Sequence, residues 1–402
     1  MKYVIIQGDG MGDEPIAELG GKTPLEAAQT PHFDWVAGQG QIGLLHTIPE
    51  GLPPGSDVGN LSLFGYDPAL YYTGRSPLEA AAMGVELGPQ DVAFRMNLVA
   101  CVGSGAGETL ADYSGGHIDS ASAAELVQAV SAELADEEIQ FYPGVSYRHL
   151  MVWRGGSEAM KTTPPHDITG QAIAGHLPRG DGAQPLLDVM RRSREIFEHH
   201  PVNRRRSAEG GTPVTQVWLW GQGKAPRMPT FEQCHGLKGA VISAVDLVRG
   251  LAVYAGFDIV TVPGATAFLD TNYRGKGEHA LAALADHDLV FVHIEAPDEA
   301  GHMGDVVEKV KAIESIDREI VGPLIEGLPT VGPFKLLITS DHATPVARRT
   351  HVAAPVPFAM ATGDQLRNGK LRKKYGETEA ERSGVRIPDG HRVIADLMNY
   401  PE

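Results

Sequence analysis

Three short runs of apolar residues predict strands buried inside a sheet. They are YVII at residues 3–6, LVFVHI at residues 289–294 and KLLIT at residues 335–339. The runs lack the alternation of apolar and polar residues that marks a strand with one face in water. This pattern is typical of a parallel sheet covered on both sides. A fourth strand is expected at residues 259–262, after a helix that ends near Gly256.

Helical periodicity fills the interval between the second and third runs. Apolar residues recur there at helical spacing and predict a crossover helix. They are Val306, Val310, Ile313, Ile320 and Leu324. Strands joined by helices in this order indicate an α/β fold with a doubly wound, mostly parallel sheet.

The middle of the chain carries its own strands and helices. Helical patterns follow Ser120 and Pro185, and proline-rich turns occur among them. The sheet draws strands from both ends of the chain, which leaves the middle as an insertion. We therefore expect residues 1–72 and 232–402 to form a core domain and residues 73–231 to form an inserted α/β domain.

Composition and charge narrow the range of functions. The 402 residues carry a formal net charge of −17, which argues against nucleic-acid binding because phosphate backbones require a basic surface. No segment is long and apolar enough for a membrane span or a signal peptide, so we expect a cytoplasmic protein that does not bind membranes. The two cysteines, Cys101 and Cys234, make a disulfide framework implausible and leave oxygen and imidazole to hold any metal.

Acidic and histidine side chains follow each apolar run at the point where the strand ends. They are Asp9, Asp298, His302, Asp341, His342 and His351. Each one alone is explained as simply by a helix cap or a packed histidine. Ligands bind at the carboxyl ends of strands in an open α/β sheet, however, so all six can converge on one place. Three carboxylates and three imidazoles suit Mn²⁺ or Zn²⁺, and they are enough for a pair of ions of the kind used in phosphoryl transfer.

Longer motifs run along most of the chain and carry a family resemblance. Among them are GDGMGDEP, PGSDVGNLSLFGYDP, YTGRSPLEAAAMGVEL, GAVISAVDLVRGLAVYAG, HIEAPDEAGHMGD and TSDHATP. With these motifs the chain resembles the cofactor-independent phosphoglycerate mutases of the archaeal-type branch, within the alkaline phosphatase superfamily. The resemblance implies a core domain of alkaline-phosphatase type and two divalent metal ions. Mn²⁺ is the first candidate, and Zn²⁺, Co²⁺ and Mg²⁺ are the alternatives.

The resemblance also divides the strand-end residues between the two ions. The residues implied for one ion are Asp298, His302 and His351. Those implied for the other ion are Asp9, Asp341, His342 and a nucleophilic serine, Ser56.

Ser56, in the segment GSDVGN, is the implied nucleophile, and Ser62 in the following apolar run is the alternative. A free serine hydroxyl is a poor nucleophile near neutral pH, and metal coordination makes its alkoxide accessible. Ser56 would take the phosphoryl group from 3-phosphoglycerate and become phosphoserine. The retained glycerate would take the group back on its other hydroxyl, which gives 2-phosphoglycerate without any bisphosphoglycerate.

Basic residues are expected to hold the phosphate and the carboxylate of this small phosphorylated substrate. Lys276 of DTNYRGK resembles the family's core-domain lysine near the phosphoryl group. The candidates in the insertion, in decreasing order of match, are His117, Arg148 and Arg75. For the two arginines a structural ion pair is an equally good explanation. A mutase must exclude water, so the inserted domain is expected to bind the substrate and close over it.

Three other functions share features of this sequence. Some bacterial members of this branch are proposed homoserine kinases, and TTPPHD and HHPVNRRR resemble that subgroup. The chain has no phosphate-binding loop of the GxxxxGK[ST] form, but this superfamily does not depend on one. A metal-dependent phosphatase or phosphodiesterase would use the same ligands. A non-catalytic binding protein is disfavoured because the nucleophile and the ligand set are intact. Fold and metal site together do not decide among these reactions.

Overall fold

An eight-stranded sheet organises the first of the two units into which the chain divides. In this computed structural model, which describes residues 1–369 and 373–401, the first unit comprises Met1–Tyr72 and Arg227–Glu402. The second unit is Thr73–Pro226. The chain thus returns to the first unit five residues earlier than the sequence indicated.

The sheet of the first unit is mostly parallel. From one edge to the other its strands are Arg386–Ile387, Gln41–Leu45, Val356–Thr362, Phe334–Thr339, Lys2–Gly8, Leu289–Ile294, Gly239–Ile242 and Asp258–Ile259. Val356–Thr362 runs antiparallel to both of its neighbours, and the other pairings within the described residues are parallel. The expected α/β fold with a doubly wound, mostly parallel sheet is confirmed.

Helices cover both faces of this sheet. The helices of the first unit, among the described residues, are Pro24–Ala27, Pro31–Gln39, Ser56–Leu63, Pro68–Tyr71, Phe231–His235, Asp246–Ala255, Tyr273–Ala283, Ala296–Met303, Val306–Ile316, Gly322–Gly327, Gly363–Asn368, Glu377–Ser383 and Val393–Asn399. None of them is long and apolar enough to cross a membrane.

Alternate residues of the central strands face opposite helical layers. Val4 and Ile6 are buried in one cluster with Phe33 and Ile313, which come from two helices. On the opposite face, Phe291 of the neighbouring strand packs against Phe64, with ring centroids 4.7 Å apart. Burial on both sides explains why these strands read as unbroken apolar runs.

The predicted crossover helix is present, but it changes its winding. Val306–Ile316 is α-helical, Asp317–Val321 forms a π-helical turn, and Gly322–Gly327 resumes the α-helix. The Asp317 carboxylate accepts hydrogen bonds from the first backbone N–H groups of the helix Pro31–Gln39, at 2.7 and 3.0 Å. The widened turn therefore lies where one helix caps another.

The expectation of a helix that ends near Gly256 and a strand at residues 259–262 was partly wrong. The segment opens as the strand Gly239–Ile242, and only then does the helix Asp246–Ala255 form, ending as expected at Gly256 with φ of 71°. The strand expected at residues 259–262 is limited to Asp258–Ile259. It lies at the sheet edge beside a four-residue strand, which offers it few partners.

The second unit is built on an antiparallel sheet. Its strands are Val92–Val102, Thr109–Asp112, Ile139–Tyr142, Arg148–Trp153 and Gln216–Lys224. Its helices are Ser76–Ala82, Ser120–Leu134, Ala183–Glu198 and Pro201–Ala208. Leu126 and Phe197, from two of the helices, are fully buried in one cluster with Trp218 of the sheet. This unit therefore has a hydrophobic core of its own.

Candidate metal centre

The carboxyl ends of three neighbouring strands bring the candidate ligands together. Lys2–Gly8 lies between the other two strands, and the register pairs Gly8 with Ile294 and Gln7 with Thr339. The three strands therefore end at the same edge of the sheet. Their continuations carry all the acids and histidines that the sequence placed at strand ends.

Asp298, His302 and His351 form the first group of donor side chains. Asp298 and His302 lie four residues apart on one helix face, with His302 Nε2 at 3.2 Å from Asp298 Oδ2. His351 Nε2 is 3.4 Å from Asp298 Oδ1 and 2.8 Å from His302 Nε2. The three side chains expected to share one ion are thus in mutual contact.

Asp9, Asp341 and His342 form the second group. All three side chains are completely buried, and their ligand atoms lie within 4.8 Å of one another. His342 Nε2 is 3.3 Å from Asp341 Oδ2 and 3.5 Å from Asp9 Oδ1. The rings of His342 and His351 have centroids 4.0 Å apart, so the two groups adjoin.

Ser56 lies at the edge of the second group. It is the first residue of the helix Ser56–Leu63, it is half-buried, and its Oγ is 3.2 Å from His342 Nε2. Asn60, one turn later, donates to the backbone oxygen of Ser56 at 2.9 Å and to Asp341 Oδ2 at 3.1 Å. Ser62 is buried, and its hydroxyl donates instead to the backbone oxygen of Thr47 at 2.6 Å.

The electrostatics of these groups fit bound cations. Burial, reinforced by the nearby Asp341 charge, raises the pKa of Asp9 well above its ordinary value. Burial also opposes ionisation of Asp298, but hydrogen bonds from His302 and His351 hold the pKa of Asp298 well below its usual range. Among the described residues, Asp9 Oδ1 has no hydrogen-bond partner despite its complete burial. Buried carboxylates need compensating charge, and this donor set suits divalent ions.

Two residues beside Asp9 were not found from the sequence. His293 Nε2 is 2.8 Å from Asp9 Oδ2, and its Nδ1 is 3.1 Å from Ser243 Oγ. Glu295 Oε2 is 3.4 Å from His293 Nε2. A histidine near the end of the apolar run LVFVHI, followed at once by an acid, was the available indication. The contact with His293 restricts the orientation of the Asp9 carboxylate, and Asp9, His293 and Glu295 also offer ligand atoms within 4.8 Å of one another.

Lys276 lies beside this same group. It is buried in the helix Tyr273–Ala283, and its Nζ donates to the backbone oxygen of His293 at 2.8 Å. Burial lowers the pKa of Lys276 to about 8, against the opposing charge of Glu295. Lys276 therefore brings a positive charge close to the candidate centre.

The three candidates in the second unit occupy one cluster of cations and aromatic rings. The ring of His117 and the guanidinium of Arg148 both lie against Tyr147, at 6.4 and 5.7 Å from its centroid. Arg75 Nε is 3.0 Å from Glu79 Oε1. The sequence did not suggest two further members, Arg95 and His166.

Arg95 and His166 meet on the indole of Trp220. The Arg95 guanidinium lies 4.3 Å from the centroid of this ring, and the His166 ring lies 5.2 Å from it. Arg95 Nε is also 3.0 Å from the second oxygen of Glu79. Burial lowers the pKa of Arg95 to about 10. The cluster concentrates positive charge in a chain whose net charge is −17.

Relatives of known family match this chain along its full length. A family model described as 2,3-bisphosphoglycerate-independent phosphoglycerate mutase matches residues 37–203. A probable enzyme of that name from Geobacter sulfurreducens is 53% identical over 399 residues, which is 99% of this chain and 100% of the relative. The chain belongs to this family. The enzyme of the same name from Methanosarcina barkeri is 52% identical and is covered to 99%, as is this chain.

Solved structures agree with this membership. A protein from Pyrococcus horikoshii has a TM-score of 0.80 and 31% identity, covering 100% of this chain and 98% of that one. The cofactor-independent phosphoglycerate mutase of Thermoplasma acidophilum has a TM-score of 0.67 and 29% identity, covering 99% of each chain. The family resemblance of the sequence is confirmed, and so is the expected enzyme class, an isomerase of the phosphoglycerate mutase type.

Proposed function

We propose that this chain interconverts 3-phosphoglycerate and 2-phosphoglycerate without 2,3-bisphosphoglycerate, and that Ser56 carries the phosphoryl group between the two positions. The position of Ser56 Oγ, 3.2 Å from His342 Nε2, carries this proposal. His342 belongs to two sets of potential ligands, one with Asp298 and His351 and one with Asp9 and Asp341. The position of the Ser56 hydroxyl at this junction supports a role for it as the nucleophile.

Two divalent cations, Mn²⁺ as the first candidate, complete the proposed centre. When bound, they would lower the pKa of the serine hydroxyl and neutralise charge on the phosphate oxygens. The residues that would hold one are Asp298, His302 and His351, and those that would hold the other are Asp9, Asp341, His342 and Ser56. Burial lowers the pKa of His342, which favours the neutral imidazole that a metal ligand requires.

Ser56 is the one protein group that forms and breaks a covalent bond in the two proposed steps. Its Oγ forms a bond to phosphorus while the bond from phosphorus to the 3-oxygen of the substrate breaks, giving phosphoserine and bound glycerate. The 2-oxygen of the same glycerate then attacks the phosphorus while the bond from phosphorus to Ser56 Oγ breaks, which regenerates the serine. In the first step a proton is lost from Ser56 and one is gained by the 3-oxygen; in the second a proton is lost from the 2-hydroxyl and one is regained by Ser56 Oγ. Ser56 begins the helix Ser56–Leu63, so the backbone N–H groups of the first turn favour negative charge at this position. The buried cation of Lys276 supports phosphate binding in the same unit.

The second unit is proposed to hold the glycerate. The carboxylate of the substrate needs cationic partners, and arginine provides a planar pair of donors for it. Arg148 and His117 lie against Tyr147, and Arg75 and Arg95 share Glu79. A mutase must retain glycerate and exclude water, which supports a role for this unit in closing over bound substrate.

The free thiols Cys101 and Cys234 suit the cytoplasm, where we place the enzyme.

An enolase-coupled assay tests the proposed reaction. Purified protein with Mn²⁺ should convert 3-phosphoglycerate to 2-phosphoglycerate with no bisphosphoglycerate added. Release of inorganic phosphate without isomer formation would overturn the mutase in favour of a phosphatase. Phosphorylation of homoserine by ATP without mutase turnover would overturn it in favour of a kinase.

A further inference from the structure

A buried lysine close to the candidate centre makes three hydrogen bonds. Lys309, on the helix Val306–Ile316, has no exposed surface. Its Nζ donates to the backbone oxygens of Gly12 at 3.1 Å and Thr344 at 2.8 Å, and to Asp13 Oδ2 at 2.8 Å. All three donors of the ammonium group are therefore used.

The lysine and its acceptors belong to three ligand-bearing segments. Gly12 follows Asp9 by three residues, and Thr344 follows His342 by two. Lys309 itself lies on the helix Val306–Ile316. This helix directly follows the helix Ala296–Met303, which carries Asp298 and His302. One ammonium group thus joins the loops after two strands to the helical segment after a third.

Thr344 extends this connection to the ligands themselves. Its hydroxyl donates to Asp298 Oδ1 and lies 3.2 Å from His342 Nδ1. Its backbone N–H donates to the oxygen of Gly12 at 3.2 Å, the same oxygen that the lysine contacts. A shift of the Thr344 backbone therefore moves contacts to ligands in both donor groups.

The negative charge opposite the lysine is also buried. The Asp13 side chain is 1% exposed, and its Oδ2 accepts a hydrogen bond from the Val346 backbone N–H at 3.1 Å as well as from the ammonium group. Removing either member of such a pair leaves an uncompensated charge in a dry interior. The loops must then shift to admit water or other partners.

We propose that Lys309, paired with Asp13, is a positioning residue that holds the three ligand-bearing segments at the spacing required for metal binding. The inference rests on the proposed two-metal centre, because it concerns the affinity of that centre. Neighbours that orient metal ligands typically contribute about 10–100-fold to metal affinity.

Direct measurement of Mn²⁺ binding tests this role. Free Mn²⁺ is titrated by electron paramagnetic resonance in the wild-type protein and in Lys309→Met, which removes the ammonium group and keeps most of the volume. We expect binding at least tenfold weaker in the variant. The matched control is Lys335→Met, since Lys335 is also buried and donates to two backbone oxygens, those of Met398 and Tyr400. The control should bind Mn²⁺ as the wild type does.

A second variant covers the case in which Lys309→Met does not fold. Asp13→Asn removes the countercharge and keeps the shape, and we expect it to weaken Mn²⁺ binding by a smaller factor. Wild-type protein that binds no Mn²⁺ would overturn the proposed centre, and the positioning role with it. Wild-type protein that binds two ions, with folded Lys309→Met or Asp13→Asn binding them as tightly as Lys335→Met, would overturn the positioning role alone.

Discussion

Two serines six residues apart on one helix have different environments, and this difference yields a prediction for each. Ser56 is half-buried beside His342, so Ser56→Ala should reduce mutase turnover to background while the melting temperature stays close to that of the wild type. Ser62→Ala should remain active but lose about 1–3 kcal/mol of stability, because the hydroxyl that bonds the buried oxygen of Thr47 is removed. Coupled assays and thermal melts of both variants provide the measurement.

The same two variants can also show that the nucleophile is Ser62 and not Ser56. Loss of turnover in folded Ser62→Ala, with activity retained in Ser56→Ala, would make Ser62 the nucleophile. Brief incubation with radiolabelled substrate and acid quenching should also leave phosphate on the wild-type protein and none on Ser56→Ala.

The buried His149 should make the stability of the second unit sensitive to acid. It is 3% exposed, its Nδ1 accepts from the Gly144 backbone N–H at 2.9 Å, and its Nε2 has no hydrogen-bond partner in the part of the chain that the structure describes. Burial lowers the pKa of His149 to about 4 from 6.5. Between these values the unfolded chain binds the proton more readily, so this residue costs stability as the pH falls from about 6.5 to about 4. His149→Asn keeps a hydrogen-bond acceptor at this position. Between pH 7 and pH 5 the variant should lose less free energy of unfolding than the wild type, as measured by denaturation.

The exposed His199 provides the control for this pH dependence. The effect of His149→Asn on the difference in stability between pH 7 and pH 5 should exceed that of His199→Asn, which makes the same substitution at an exposed position. If His149→Asn leaves that difference unchanged, burial of His149 does not contribute to acid sensitivity.

At the scale of elements, the helix Ser56–Leu63 depends on a glycine for its approach to the sheet. A Cβ on Gly59 would lie 2.6 Å from the backbone oxygen of Asp341 and 2.9 Å from its Cβ. Gly59→Ala should therefore push the helix away from Asp341, reduce turnover by moving Ser56, and cost about 1–3 kcal/mol. Assays and melts should find no such loss in Gly107→Ala, where a Cβ meets open space. Normal turnover in Gly59→Ala would mean that the helix tolerates the shift.

The strands and the clustering of the candidate ligands were predictable for a shared physical reason. The central strands are buried on both faces, so their sequences are continuous apolar runs, and the polar residues that end them mark the functional edge. His293 escaped this reasoning because it lies inside such a run. Lys309 escaped it because apolar spacing defines the buried face of a helix, and a buried lysine interrupts that spacing.

At the scale of the whole molecule, the chain divides into two units because each unit has a hydrophobic core of its own. The sequence placed the start of the insertion after residue 72, where the structure also divides the chain. The return point was harder to find, because residues 226–230 include two prolines and carry no strand or helix pattern until Phe231 begins a short helix. Contacts made across long sequence separations define such a boundary, and local pattern does not report them.

Removal of divalent ions should destabilise the first unit and spare the second. Without ions, the buried carboxylates of Asp9, Asp298 and Asp341 lack their proposed countercharge, whereas the second unit contains none of the proposed ligands. Chelation should lower the melting temperature, and free Mn²⁺ at about 100 times its Kd should restore about 2.7 kcal/mol. Hydrogen exchange should accelerate in Ala296–Met303 and stay constant in Val92–Val102. Equal exchange in both segments, with an unchanged melting temperature, would contradict a metal-stabilised centre.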